Sequence, residues 1–211
     1  FVRALGPDVL THVWAGNVPA LPLWSLVCGL LVKAGNVGKV PSAEPLFATW
    51  FAQLLAEVEP TLADCLCILW WPGGDEEAER TVFGQSSVVL AYGGNEALEA
   101  IRERVPITTR YLPYGHKLSF AYVGAEALDA QKVWRISHRG ATDIMRYDQQ
   151  GCYSPQLFFV ERGGAVNAGE FSRYLASELE GFEKKHPRRS LTLAEAKDVA
   201  AWRHHEELDS L

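Results

Sequence analysis

Apolar residues along this chain fall into short blocks whose periods alternate between strand-like and helix-like. Residues 9–14 form a β-branched run that predicts a strand, 15–19 (Ala-Gly-Asn-Val-Pro) predict a turn, and 22–33 predict a helix. That helix is apolar on nearly every side, which predicts neighbours all round it. Residues 37–40 predict a second strand. Leu46, Phe47, Trp50, Phe51, Leu54, Leu55 and Val58 then recur in pairs four apart, the stripe of an amphipathic helix packed by one face on a sheet. Residues 65–70 predict a continuous apolar strand and 75–83 a helix with an acidic start. A strand at 87–91, a helix at 96–104 with Leu98, Ile101 and Val105 inward, and a strand at 108–112 follow.

Four alternations of strand and helix, joined by short connections bearing Gly, Pro or Asn, predict a parallel sheet covered on both faces. The expected fold class is therefore α/β: a Rossmann-like, mostly parallel sheet over residues 1–112, followed by part of a second α/β domain over 113–211. The texture changes near residue 113. Longer strands are predicted at 118–123 and 156–161, separated by a Gly- and charge-rich stretch. An amphipathic helix with Phe171, Leu175, Leu179 and Phe182 on one face comes next. A tail helix starts at Thr192, where Thr192-x-x-Glu195 has the spacing of a capping box.

Twenty Lys and Arg against 26 Asp and Glu leave a net charge of −6, which argues against affinity for nucleic-acid phosphates or anionic lipid. The longest apolar run, 18–32, is broken by Pro19, Pro22, Ser25 and Gly29, and predicts no membrane span. The four cysteines show neither zinc-site spacing nor a disulfide framework, so a reduced, cytoplasmic protein without a metal is expected. The chain opens at Phe1 and has a single methionine, Met145, which suggests a piece of a longer polypeptide.

Candidate chemistry is concentrated at a few turns. Gly151-Cys152-Tyr153-Ser154-Pro155 sets a cysteine between a glycine and a turn, after the polar Asp148-Gln149-Gln150. Cys152 there is either a small hydrophobe or a thiol tuned toward thiolate. Cys28, Cys65 and Cys67 read as inert, buried hydrophobes. Asn17, just ahead of the apolar helix, is either a plain cap or an amide donor to an oxygen on which negative charge develops. Gly93-Gly94 joins a strand to a helix, where backbone N–H groups and the helix dipole favour phosphate, or where two glycines simply allow a tight turn. Lys39, near Ser42, is either a solvated lysine or a contact to a nucleotide over the strand ends. His138, His204, His205, Arg188, Arg189 and Arg203 read as solvated.

In order along the chain, Asn17-Val18-Pro19, Lys39-Val40-Pro41-Ser42, Gly93-Gly94, Tyr114-Gly115-His116-Lys117 and Gln150-Gly151-Cys152 follow the motifs of the aldehyde dehydrogenase superfamily. Their wording resembles the acyl-CoA reductases of the LuxC type, the family that includes the fatty acid reductase of bacterial bioluminescence. The resemblance covers most of residues 10–165. It implies that Cys152 takes an acyl group as a thioester and that Asn17 hydrogen-bonds the oxyanion. It further implies that Ala15, Gly16, Lys39, Ser42, Gly93 and Gly94 hold a nicotinamide cofactor, NADPH with NADH as the alternative. The implied substrate is an acyl-CoA or acyl-protein thioester, with acyl-transfer proteins as partners and a homo-oligomer as the assembly.

One departure bears on the reaction. Aldehyde-oxidising members have Glu-Leu-Gly-Gly-Lys where this chain has Pro113-Tyr114-Gly115-His116-Lys117, so the carboxylate that activates hydrolytic water is missing. A thioester without that base hydrolyses slowly, which favours reduction to an aldehyde over oxidation to an acid. His116 is either a structural hydrogen-bonder or a catalytic acid or base. An ordinary aldehyde dehydrogenase and a non-catalytic nucleotide-binding scaffold are the rival expectations.

Overall fold

The computed structural model describes residues 4–209, with side chains to 205. The chain forms two compact units, residues 1–118 with 150–152, and residues 119–149 with 153–211. The first unit runs past the expected boundary at 112 because the last strand of its sheet reaches Tyr114.

The first unit holds five strands, β1 (Val9–Val13), β2 (Gly35–Lys39), β3 (Leu66–Leu69), β4 (Val88–Tyr92) and β5 (Arg110–Tyr114), all parallel in the order β3-β2-β1-β4-β5. The helices α1 (Leu21–Leu31), α2 (Leu46–Val58), α3 (Pro60–Ala63), α4 (Glu76–Gly84) and α5 (Asn95–Arg104) link them. The period-2 pleat of β1 sends Val13 to one face and Trp14, just beyond it, to the other. Val13 packs with Phe83, Val89, Ala91, Leu98 and Ile101 under α4 and α5. Trp14 packs with Leu26, Val40 and Ala48 under α1 and α2, and its indole N–H donates to Ser25 Oγ at 2.9 Å.

α1 is not surrounded. It buries Pro22, Ser25, Leu26 and Gly29, while Trp24 and Leu31 are 75% and 77% exposed. A helix lying on a sheet covers only one stripe of itself, however apolar the other side is. For the same reason Cys28, on the outward side of α1, is exposed. Cys65 and Cys67 are exposed too, because β3 is an edge strand whose alternate residues face away from the core. The expectation that these three thiols are buried is therefore overturned.

A polar knot sits inside β1. His12 is fully buried, and its Nε2 lies 3.0 Å from Asn36 Oδ1, while the Asn36 amide nitrogen donates to Ala34 O at 2.8 Å. That orientation makes Asn36 Oδ1 the acceptor and Nε2–H the donor. The other ring nitrogen, Nδ1, is buried without a partner. Burial holds the His12 pKa below its ordinary value, against the smaller opposing effect of the Asn36 bond. A group whose folded pKa is depressed gives full stability above its unfolded pKa of about 6.5 and loses it as pH falls toward the folded value. The stability difference between the parent and His12→Gln, from urea unfolding, should accordingly shrink as pH falls from 7 to 5. A difference that grows would contradict a neutral His12.

Gly29 of α1 abuts the same knot, since a β-carbon there would collide with Asn36 Oδ1. Gly29→Ala must displace a buried, doubly bonded amide, an overpacking cost of about 1–3 kcal/mol. A melting temperature at the parent value would refute that packing.

The second unit pairs β6 (Phe120–Val123) with β7 (Leu157–Val160) in parallel, with α6 (Val133–Met145), α7 (Ala168–Lys185) and α8 (Leu193–Asp209). α6 lies in the stretch expected only to be Gly- and charge-rich. Its signal is Val133, Ser137, Gly140 and Ala141, a buried stripe at helical spacing whose small residues hide it from a count of large apolar ones. Val123, Leu128, Val133, Val166 and Phe171 form this unit's core. Asn167 and Glu170 make a capping box on α7. At the head of α8, Glu195 accepts from the Thr192 backbone N–H at 2.8 Å and donates its own N–H to Thr192 Oγ1 at 3.3 Å. No helix among the described residues is long and apolar enough to cross a membrane.

Candidate active site

Parallel strands put all their C-terminal ends on one edge, and in the first unit that edge carries nearly every residue singled out from the sequence. Trp14-Ala15-Gly16-Asn17 leaves β1, Val40-Pro41-Ser42 leaves β2, Gly93-Gly94 leaves β4, and Gly115-His116 leaves β5. The strand order reverses between β1 and β4, so the loops carrying Asn17 and Gly94 diverge to opposite faces of the sheet. Open α/β sheets bind ligands in the crevice such a divergence leaves.

Each residue on this edge is held by identifiable neighbours. A β-carbon on Gly16 would lie 3.0 Å from Ala43 Cβ and 3.3 Å from Pro41 Cγ, so its backbone packs closely on the loop after β2. Lys39 is half-buried, its ammonium 5.8 Å from the centre of the Trp71 ring. Desolvation lowers its pKa, and the charge of Glu79 works the other way. Lys39 is thus not a freely solvated lysine. Ser42 Oγ accepts from the Trp70 indole N–H at 3.2 Å, which leaves its own hydroxyl hydrogen to donate.

Gly94 is the N-cap of α5 in extended conformation, and no side chain caps the helix there. A β-carbon on Gly93 would meet nothing nearer than Ala97 at 3.8 Å, so the approach to this helix end is open. His116 stands beside it, its Nε2 3.4 Å from where a Gly94 β-carbon would be, and its backbone N–H donates to Asn95 Oδ1 at 3.4 Å. A β-carbon on Gly115 would fall 2.6 Å from that same oxygen, which explains the glycine. Tyr92 and Tyr114 stack at 5.0 Å between ring centres on the adjacent strand ends.

Cys152 arrives from far along the chain. It is exposed, as are the other three cysteines, so exposure alone does not distinguish it. Its loop is distinguished by what holds it. Asn17 Nδ2 donates to the Gln150 carbonyl at 2.7 Å, joining the turn after β1 to the cysteine loop across 133 residues of sequence. One amide hydrogen of Asn17 is used in this way and a second remains. Just before, Tyr147, Asp148 and Gln149 all have positive φ, at 55°, 54° and 61°. The backbone is braced by Gln149 Nε2 on Pro155 O at 3.2 Å and Ser154 Oγ on Arg146 O at 3.4 Å.

Several of these partners have no counterpart in the sequence reading. The Gln150 acceptor is a backbone carbonyl, which leaves no signature in residue type. Asn95, Trp70 and Trp71 matter through contacts made only in the folded sheet. His138 and the two arginines are exposed, as expected, and each also has a carboxylate partner. His138 Nδ1 is 2.7 Å from Glu178 Oε2 and its ring lies over Phe182. Arg188 and Arg189 pair with Asp148, and Arg189 also grips Glu195.

The fold defined by this sheet and its loops is that of the aldehyde dehydrogenases. The aldehyde dehydrogenase KauB of Pseudomonas aeruginosa superposes with a TM-score of 0.69 at 18% identity, covering 85% of this chain and 35% of that one. An indole-3-acetaldehyde dehydrogenase of P. syringae, solved with NAD+, gives 0.68 at 19% identity with the same coverage. Within that class the chain belongs to the LuxC acyl-CoA reductase family, whose model matches residues 1–211. The long-chain acyl-protein thioester reductase 2 of Photobacterium leiognathi is 28% identical over 192 residues, 89% of this chain. The match spans 38% of that relative's length.

Proposed function

We propose that this chain provides the cofactor-binding and cysteine-bearing parts of a reductase that converts a long-chain acyl thioester, carried on coenzyme A or on a protein, to a fatty aldehyde. The observation that carries the reading is the Asn17–Gln150 bond, which ties an amide donor to the loop of the one cysteine placed beside a glycine and a turn. Residues 1–112 take the cofactor role and also supply Asn17 to the reaction, and 113–211 bring Cys152 and His116.

In this reading the Cys152 thiolate attacks the acyl carbonyl carbon. A bond forms from Sγ to carbon, the donor's carbon–sulfur bond breaks, and the donor leaves as a thiol. The second amide hydrogen of Asn17 stabilises the oxyanion that develops on the carbonyl oxygen. His116 protonates the departing thiolate of the donor, or the aldehyde oxygen. Because Pro113 stands where a carboxylate would activate water, the acyl-enzyme persists.

The strand-end edge suits a dinucleotide. An uncapped helix end behind two glycines favours a pyrophosphate, and Ala15, Gly16, Lys39 and Ser42 line the neighbouring strand ends. The positive charge of Lys39 permits a 2′-phosphate without requiring one, so the reading takes NADPH with NADH as the alternative. When bound, the reduced nicotinamide supplies the hydride that takes the thioester to the aldehyde oxidation level.

The test is intact-mass spectrometry of the full-length protein after incubation with a long-chain acyl-CoA and no nicotinamide. An acyl adduct that maps to Cys152 supports the reading. A folded protein with no adduct, or with the adduct on another residue, removes it.

A further inference from the structure

The turn that delivers Cys152 is strained. Tyr147, Asp148 and Gln149 are three consecutive left-handed residues without a glycine among them. Each such residue costs roughly 1–2 kcal/mol, and such strain persists only where surrounding contacts over-determine it. The contacts of Asp148 come from the segment between α7 and α8. Arg188 Nε lies 3.9 Å from Asp148 Oδ1 and Arg189 Nε lies 3.9 Å from Asp148 Oδ2, so the carboxylate sits between two guanidinium groups.

Arg189 is itself anchored. Its Nη1 and Nη2 donate to Glu195 Oε2 and Oε1 at 3.0 and 2.6 Å, a bidentate pair. Glu195 also closes the capping box of α8 by accepting from Thr192 N and Oγ1 at 2.8 and 2.9 Å. These bonds hold the Glu195 carboxyl at about 2, with Arg189 the main cause and Thr192 the next. A continuous chain of polar contacts therefore runs from the head of α8 through Glu195 and Arg189 to Asp148, four residues before Cys152.

We propose that Asp148 and Arg189 are positioning residues for the nucleophile. They lock the left-handed turn so that Cys152 is presented in one geometry, with Arg188 as a second strut and Glu195 as the anchor. Each exposed ion pair is weak by itself. Acting on a strained turn next to a nucleophile, however, they set a position, and small displacements of a reacting group are costly in rate. This inference rests on the proposed nucleophilic role of Cys152.

Single-turnover acylation of the full-length protein by a long-chain acyl-CoA tests it, with the maximal rate and the half-saturating concentration read separately. Arg189→Gln and Asp148→Asn should each lower the maximal rate by roughly tenfold and leave the half-saturating concentration unchanged. The double variant should be slowed by less than the product of the two single effects, because both remove the Arg189–Asp148 contact. Arg189→Lys, which keeps the charge opposite Asp148, should recover part of the rate. Parent-like maximal rates in both single variants, or equal changes in rate and half-saturation, would overturn the positioning role. A parent that forms no adduct would instead overturn the reading of Cys152 beneath it.

Discussion

Cys152→Ser is expected to abolish acyl-enzyme formation, with reductase turnover falling by roughly 10⁴-fold or more, while nicotinamide affinity stays near the parent value. A serine hydroxyl is almost wholly un-ionised near neutral pH, and a strong general base beside it would be needed to make up the difference. The residues proposed to hold the dinucleotide, Ala15, Gly16, Lys39, Ser42, Gly93 and Gly94, come from the C-terminal ends of β1, β2 and β4 and the loops after them. Removing the sulfur at 152 leaves those loops intact, so the two effects should separate. Mass spectrometry for the adduct and fluorescence titration for the nicotinamide measure them independently. Joint loss in a folded variant would place Cys152 in cofactor binding instead, and retained acylation would move the nucleophile to Cys28, Cys65 or Cys67, all of which are exposed.

The second large effect belongs to Asn17. Asn17→Ala removes the proposed oxyanion donor, and deleting one such donor costs about 10²–10³ in turnover. It also removes the 2.7 Å bond to Gln150 that ties the turn after β1 to the cysteine loop. Asn17→Asp sharpens the test. It keeps the size of the side chain but turns its donor end into an acceptor facing the Gln150 carbonyl and any developing oxyanion, so it should be slower than the alanine variant. A rate for Asn17→Asp at or above that of Asn17→Ala would show that donation by the amide is not what Asn17 contributes.

The sequence by itself determined the parallel sheet and the order of the site motifs. β-branched runs at 9–14 and 87–91, separated by helices with their own punctuation, permit few arrangements other than strands joined by crossover helices. Once the strands are parallel, the loops after them must share one edge, so the grouping of Gly16, Ser42, Gly94 and His116 follows from periodicity. Local signals also sufficed for Thr192 and Glu195, because a capping box is made by residues three apart.

Tertiary structure alone decided what depends on distant partners. The exposure of Cys28 and Cys67 turns on which stripe of α1 meets the sheet and on β3 lying at its edge. The bond from Asn17 to Gln150 ends on a backbone carbonyl that every residue type carries. The left-handed turn at 147–149 has no glycine to announce it, and Arg188 and Arg189 look like any solvated charges until Asp148 is placed between them. Periodicity records how each segment meets a core that it helps to form. It carries no record of contacts whose strength depends on bringing two particular atoms together across more than a hundred residues.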